Sequence, residues 1–299
     1  MEDKANLKEE VLRLGRVTGF PIMLLEKDYH LTKILHKISE KNIENLVFKG
    51  GTCLNKCYLG FYRLSEDLDF VFNQDVKGLS KLQIKKILDE LRRKMFEALN
   101  ELNMETSKEL GQGWKMITSQ KEPKIIGLEI ISNYKSLIDN STQTIKIEIS
   151  FRNKLINPTR TRHIHHEFID ALGKPILKED VEIEVIDLNE NFAEKFRALV
   201  TRKNLAIRDI FDIYFILKGK ILPFNEKTIS LILIKINETP EKYFKKEDLV
   251  PFIENLDSKL DNLNEKEIFA VLKSGQEVNL LEMIRLIKHE VLKAISLYN

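Results

Sequence analysis

The chain has 299 residues, 43% of them hydrophobic, enough for one large core or two modest ones. Charged residues make up 31%, but 48 Lys and Arg stand against 46 Asp and Glu, and a net charge of +2 excludes a global field that would draw the chain to nucleic acid or membrane. Two cysteines, Cys53 and Cys57, exclude a disulfide framework and point to a reducing compartment; their i, i+4 spacing suits two small buried side chains on one helical face.

In chain order, the charged start MEDKANLKEEVLRLG lacks the apolar run of a signal peptide. No stretch of about 18 apolar residues follows, so a cytoplasmic protein without a membrane span is expected. Leu12, Leu14, Met23, Leu25, Leu31, Ile34, Leu35 and Ile38 recur at helical spacing over 6–40, with Pro21 opening a second helix. Residues 45–48 read as a short buried strand that Gly50 and Gly51 stop. TCLNKCYLG reads as a short helix with Thr52 as N-cap and Gly60 beyond its end. DLDFVF alternates as a strand, and a long helix is predicted over 80–103.

Strands are expected at 113–118, 124–133, 143–151 and 180–187. The clearest is TIKIEISF, where Ile145, Ile147, Ile149 and Phe151 face one way and Lys146, Glu148 and Ser150 the other. The segment 151–166 gathers Arg152, Lys154, Arg160, Arg162 and three histidines. A solvated basic hairpin is its first reading and a loop meeting RNA the second. His163 and His165 share a strand face, but His166 points away and nothing completes a metal set. After Asp187 the pattern is helical to the end, with turn signals near Pro223, Pro240 and Ser274. The expected class is α+β: an α/β unit over 1–190 that includes the N-terminal helices, then a helical domain over 191–299.

The stretch FKGGTCLNKCYLGFYRLSEDLDFVF carries the chemistry. A strand, two glycines and a helix start leave backbone N–H groups facing outward, which suits a phosphate. In the following strand Ser65, Asp67 and Asp69 share one face while Leu68, Phe70 and Phe72 turn to the core. Alternate Cα atoms lie ~6.5 Å apart. Carboxylates at that spacing can converge on hard divalent cations, and their mutual repulsion makes the pair costly without one.

A glycine pair, an interval and an Asp-x-Asp pair resemble the nucleotidyltransferase superfamily, whose third carboxylate lies on a later strand. Glu148 fits that place, with Glu where many members carry Asp. More closely, GGTCLNK…RLSEDLDF, the upstream LLEKDYHLTKIL and the downstream LNENFAEKFRALVTRKNLAIRDIFDIYFIL resemble the AbiEii/AbiGii family of toxin nucleotidyltransferases, which includes the MenT toxins. The resemblance spans residues 24–217. It implies a nucleotidyltransferase-like mixed sheet with flanking helices, and transfer of a nucleotide from an NTP with Mg²⁺ or Mn²⁺. It further implies an RNA acceptor, in some relatives the tRNA 3′ end, and a separately encoded antitoxin.

In that scheme Asp67, Asp69 and Glu148 hold metal, and Gly50, Gly51, Thr52 and Ser65 cradle the phosphates. Arg63 precedes the aspartates as in the family pattern. Lys56, on the helix after the glycines, either reaches phosphate or faces solvent. Lys195 and Arg202 are seven residues apart, so a helix puts them on one face, where they would neutralise triphosphate charge. Asp209 and Asp212 stand near a helix start that favours acidic residues in any case. The family implies that one of the two is functional, and Asp209, directly after Arg208, is the first choice. Two rival readings are an NTP-binding regulator without transfer and an RNA-binding protein whose binding survives loss of both Asp67 and Asp69.

Overall fold

A computed structural model of the chain describes residues 4–76, 78–119, 124–151, 155–238, 243–263 and 266–297. Arg152, Lys154 and Pro240, singled out above, lie outside the described residues. The chain divides into two compact units: Met1–Ile186 with Val271–Ser274, and Asp187–Ala270 with Gly275–Asn299.

The first unit opens with α1 (Lys4–Thr18) and α2 (Ile22–Lys41). Pro21 precedes α2 at φ −59°, and Asn42 closes the helix in the left-handed conformation. Next come β1 (Leu46–Lys49) and α3 (Gly50–Cys53), which continues as a π-helix over Leu54–Leu59. Then follow β2 (Leu68–Phe72) and α4 (Lys81–Glu101), whose start is fixed by a reciprocal Ser80–Gln83 capping box. The remaining strands are β3 (Trp114–Thr118), β4 (Ile125–Lys135), β5 (Thr142–Ser150), β6 (Arg160–His163) and β7 (Glu182–Val185).

Among the described residues the strands form one mixed sheet in the order β3-β4-β5-β2-β1-β7-β6. β1 is antiparallel to β2 and parallel to β7, and β2 is parallel to β5. Phe48, Phe70, Ile149 and Leu128 are successive register partners across four strands and are buried to 1% exposure or less. They pack with Leu31, Ile34 and Leu35 of α2 and Leu88 and Met95 of α4 in one core. The alternation read in β5 holds: Ile145, Ile147 and Ile149 are fully buried. The excursion Val271–Ser274 is tied into this unit by backbone bonds from Leu64 N–H to the Val271 carbonyl and from Ser274 N–H to the Gly19 carbonyl.

One local expectation needs correction, and one strand is absent from the hydrophobic pattern. The helix after β1 starts at Gly50, with Lys49 at the cap position, so Thr52 lies inside the first turn and is not an N-cap. β6 has no hydrophobic alternation because all four of its residues are exposed at the sheet edge; pairing with β7 alone makes it a strand.

The second unit is helical: α5 (Leu188–Thr201), α6 (Ile207–Lys218), α7 (Glu226–Ile236), α8 (Lys246–Glu254), the short α9 (Lys266–Phe269) and α10 (Leu280–Leu297). Asp187 caps α5 and Asn225 caps α7 through their side chains. α5 and α7 are also joined by a buried charge cluster, in which Lys235 Nζ lies 2.6 Å from Glu190, 2.9 Å from Glu238 and 3.5 Å from Glu194.

Candidate active site

The sheet register builds the first part of the site. Lys49 pairs with Asp69, Asp69 with Glu148, Glu148 with Glu129, and Glu129 with Lys115. Register partners project from the same face, so one polar row crosses β1, β2, β5, β4 and β3, opposite the Phe48–Phe70–Ile149–Leu128 row. Asp69 and Glu148 are thereby direct cross-strand neighbours. Glu129 is held by an ion pair to Lys115 at 2.7 Å.

The glycines bring main chain against this row. Gly50 adopts φ +79°, and a Cβ there would stand 2.5 Å from Asp69 Oδ2. A Cβ on Gly51 would stand 2.6 Å from Arg63 Nη2 and 3.4 Å from Ser65 Oγ. Only glycine permits both the positive φ at 50 and these approaches. Gly50, Gly51, Arg63, Ser65 and Asp69 are therefore gathered at one place. Arg63 is buried, and its Nη1 donates to the Leu64 carbonyl at 2.9 Å, which braces the segment leading to the aspartates.

Two residues sit otherwise than expected. The buried Thr52 hydroxyl donates to the Asp67 carbonyl oxygen, so it positions the aspartate's backbone. Lys56 neither faces solvent nor lines the glycine loop. It is fully buried, with Nζ 2.9 Å from the Asp28 carboxylate and 2.8 Å from Thr32 Oγ1 of α2. A buried ammonium needs such a partner, and this pair pins the π-helix to α2.

Burial, together with repulsion from Asp69, raises the Asp67 carboxyl above its ordinary range, while Lys146 and Lys27 pull the other way. Lys146 follows the register: it precedes Ile147, the partner of Leu68, and so stands beside Asp67 on β5. Its Nζ is 4.0 Å from Glu148. Lys146 was not singled out as functional from sequence, although it stands two residues before Glu148 on the same strand face. Among the described residues no three His, Cys, Asp or Glu side chains are drawn together as a metal cage, so Asp67, Asp69 and Glu148 do not form a closed set.

The second unit carries its own cluster. Lys195 Nζ lies 2.8 Å from Asp209 and 2.9 Å from Asp212, and Arg202 also pairs with Asp209. Asp212 is fully buried, and Lys195 retains 14% side-chain exposure. Both aspartates thus hold Lys195. α5 ends at Thr201, and Arg202 reaches Asp209 from the extended residue beyond. In the basic segment, His163 lies 3.5 Å from Glu182 and its ring is 6.5 Å from His165. His166 is partly buried beside His36, with ring centroids 6.3 Å apart.

Known proteins share the fold and the family. JHP933 from Helicobacter pylori is similar in structure at a TM-score of 0.52 and 18% identity, over 93% of this chain and 94% of that one. A candidate nucleotidyltransferase from H. pylori aligns at a TM-score of 0.50 and 17% identity, over 92% and 95%. At such identities the likeness establishes the fold alone. No curated protein matches the sequence. The model of the family described as nucleotidyl transferase AbiEii toxin, type IV toxin–antitoxin system, matches residues 37–282. With a mixed sheet, a glycine pair against Asp69 and most of its length within that match, the chain belongs to the AbiEii nucleotidyltransferase toxin family.

Proposed function

We propose that the protein transfers a nucleotide from an NTP bound with Mg²⁺ to an RNA hydroxyl, with the tRNA 3′ end as the first acceptor to test, and that a separately encoded antitoxin counteracts it. The observation that carries this reading is the register that seats Asp69 against Gly50 and beside Glu148. It sets acidic ligands, a main-chain surface without Cβ atoms and the Ser65 hydroxyl side by side.

The donor set fits Mg²⁺. This ion keeps several waters and takes one or two carboxylates together with substrate phosphates, and it does not need an all-protein cage. Asp67 and Asp69 are such an open pair of hard oxygen donors, and their close approach to each other is relieved by a cation. Glu148 is the third candidate ligand. When bound, the ion supplies charge that stabilises the transferring phosphoryl group and the departing pyrophosphate.

The chain's own residues do the rest by position. Gly50 and Gly51 let phosphate oxygens approach the backbone, and the Ser65 hydroxyl donates to one of them. Thr52 and Arg63 fix the main chain on which Asp67 and Ser65 sit. Asp209 and Asp212 orient Lys195, whose role in the family scheme is to neutralise triphosphate charge. Lys56 is assigned to stability and is removed from the nucleotide contacts.

The test is incubation with Mg²⁺, each α-labelled NTP in turn and total tRNA, followed by gel separation, with Asp69→Ala as the control. Label on RNA that disappears in the variant supports the transfer and names the nucleotide. Label on protein moves the acceptor away from RNA. Binding of NTP without transfer to any acceptor would sink the proposed reaction.

A further inference from the structure

Besides Lys49, the register partner of Asp69, the face that carries Asp69 and Glu148 holds Lys146, a cation whose place the proposed reaction leaves unexplained. Lys146 stands beside Asp67 by strand register, on the face that carries Asp69 and Glu148. Its Nζ is 4.0 Å from Glu148, and its side chain is 39% exposed. Lys115, on the same face two strands further on, is instead committed to Glu129 at 2.7 Å.

A lysine between two prospective metal ligands has a defined physical effect. With no divalent ion bound, it screens the repulsion among Asp67, Asp69 and Glu148 and so stabilises the folded sheet. With an ion bound, the same ammonium repels the metal and competes for the same oxygens. Its exposure and its flexible four-carbon stem allow it to swing aside.

We infer that Lys146 is the resident counter-ion of the metal-binding carboxylates: it occupies their charge before the cation arrives and sets how tightly the cation is held. The inference rests on the metal assignment made above. It is a positioning and affinity-setting role, in which Lys146 touches the ligands and not the reacting atoms.

The experiment is Mn²⁺ binding to the full-length protein without nucleotide, read by the electron paramagnetic resonance of free ion, with thermal melting in parallel. Lys146→Met should bind Mn²⁺ about five-fold more tightly, the effect of removing one unit charge near a divalent ion in a water-accessible site. It should also melt at a lower temperature than wild type without metal and recover most of that difference with Mn²⁺. Lys146→Arg should stay near wild type in affinity, and Lys115→Met should leave Mn²⁺ binding unchanged. Lys146→Gln provides a second neutral variant should the Met variant fold poorly.

If the neutral variants bind Mn²⁺ no more tightly than wild type, while Asp67→Asn and Asp69→Asn abolish binding, the counter-ion role is overturned and the metal site stands. If the two aspartate variants bind as wild type does, the metal assignment fails, and the role of Lys146 fails with it.

Discussion

At the residue scale, the site depends on atoms that are absent. Gly50 combines φ +79° with a vanishing distance budget toward Asp69, so Gly50→Ala meets both a backbone and a contact penalty. We expect a loss of stability of about 1–2 kcal/mol in urea unfolding, with transfer falling by more than that loss explains. A wild-type activity would show that phosphate does not approach this backbone. His36 makes a second prediction. Burial, then the nearby His166 and Lys56 charges, lower it to about 4. Because the folded-state value lies below the unfolded one, stability is unaffected above pH 6.5 and falls as the pH drops from there toward 4. The loss reaches up to about 3 kcal/mol. His166 shifts in the same direction, by burial first and then the Lys56 charge. His36→Gln should flatten that pH dependence in a series of melts. Residue identity was legible where a pattern is local: Gly50, Gly51, Asp67 and Asp69 announce themselves within one short stretch. Lys56 was not legible, because its partner Asp28 lies a helix away and burial cannot be read from a charged letter in an amphipathic run.

At the scale of elements, β5 was readable because its isoleucines alternate strictly. β6 was not, since an edge strand with four exposed residues has no apolar face to betray it. Nor was the sheet order: that β5 lies beside β2 is a matter of topology, and it is this adjacency that brings Glu148 next to Asp69. In the second unit, the α5–α7 pair is held partly by Lys235, 1% exposed among Glu190, Glu194 and Glu238. Lys235→Met leaves Glu190 buried without its nearest cation and should cost about 3–5 kcal/mol in denaturant unfolding. Replacing Glu190 by Gln in the same chain should recover part of that loss, since the buried charge is then removed from both sides. Lys195→Met removes the ammonium 2.9 Å from the fully buried Asp212, so it should lower the melting temperature as well as the rate of transfer, and Lys195→Arg should restore more of the melting temperature than of the rate. Asp212→Asn, at a fully buried position, should lower both.

At the scale of the whole molecule, no helix among the described residues is long and apolar enough to cross a membrane, and the net charge is near zero. The RNA acceptor proposed above would have to be held by local groups, and its binding should weaken steeply with salt only to the extent of the few phosphates those groups neutralise. On the proposed function cation and nucleotide bind the folded chain, so saturating Mg²⁺ and the preferred NTP, at about a hundred times its Kd, should stabilise the protein by about 2.7 kcal/mol. Scanning calorimetry of wild type and Asp69→Ala checks this, and an equal shift in both would place the nucleotide elsewhere. One feature also constrains how this chain can change in length. Thr52 ties itself to the carbonyl of Asp67, and β1 is locked to β2 from Leu46–Phe72 through Lys49–Asp69. A residue inserted between Asp67 and Asp69 would turn Phe70 outward and Asp69 into the core, whereas one added within the turn at 60–62 would leave that order untouched. Relatives of this chain should accordingly differ in the span between the glycines and the aspartates and hardly ever within the strand that follows.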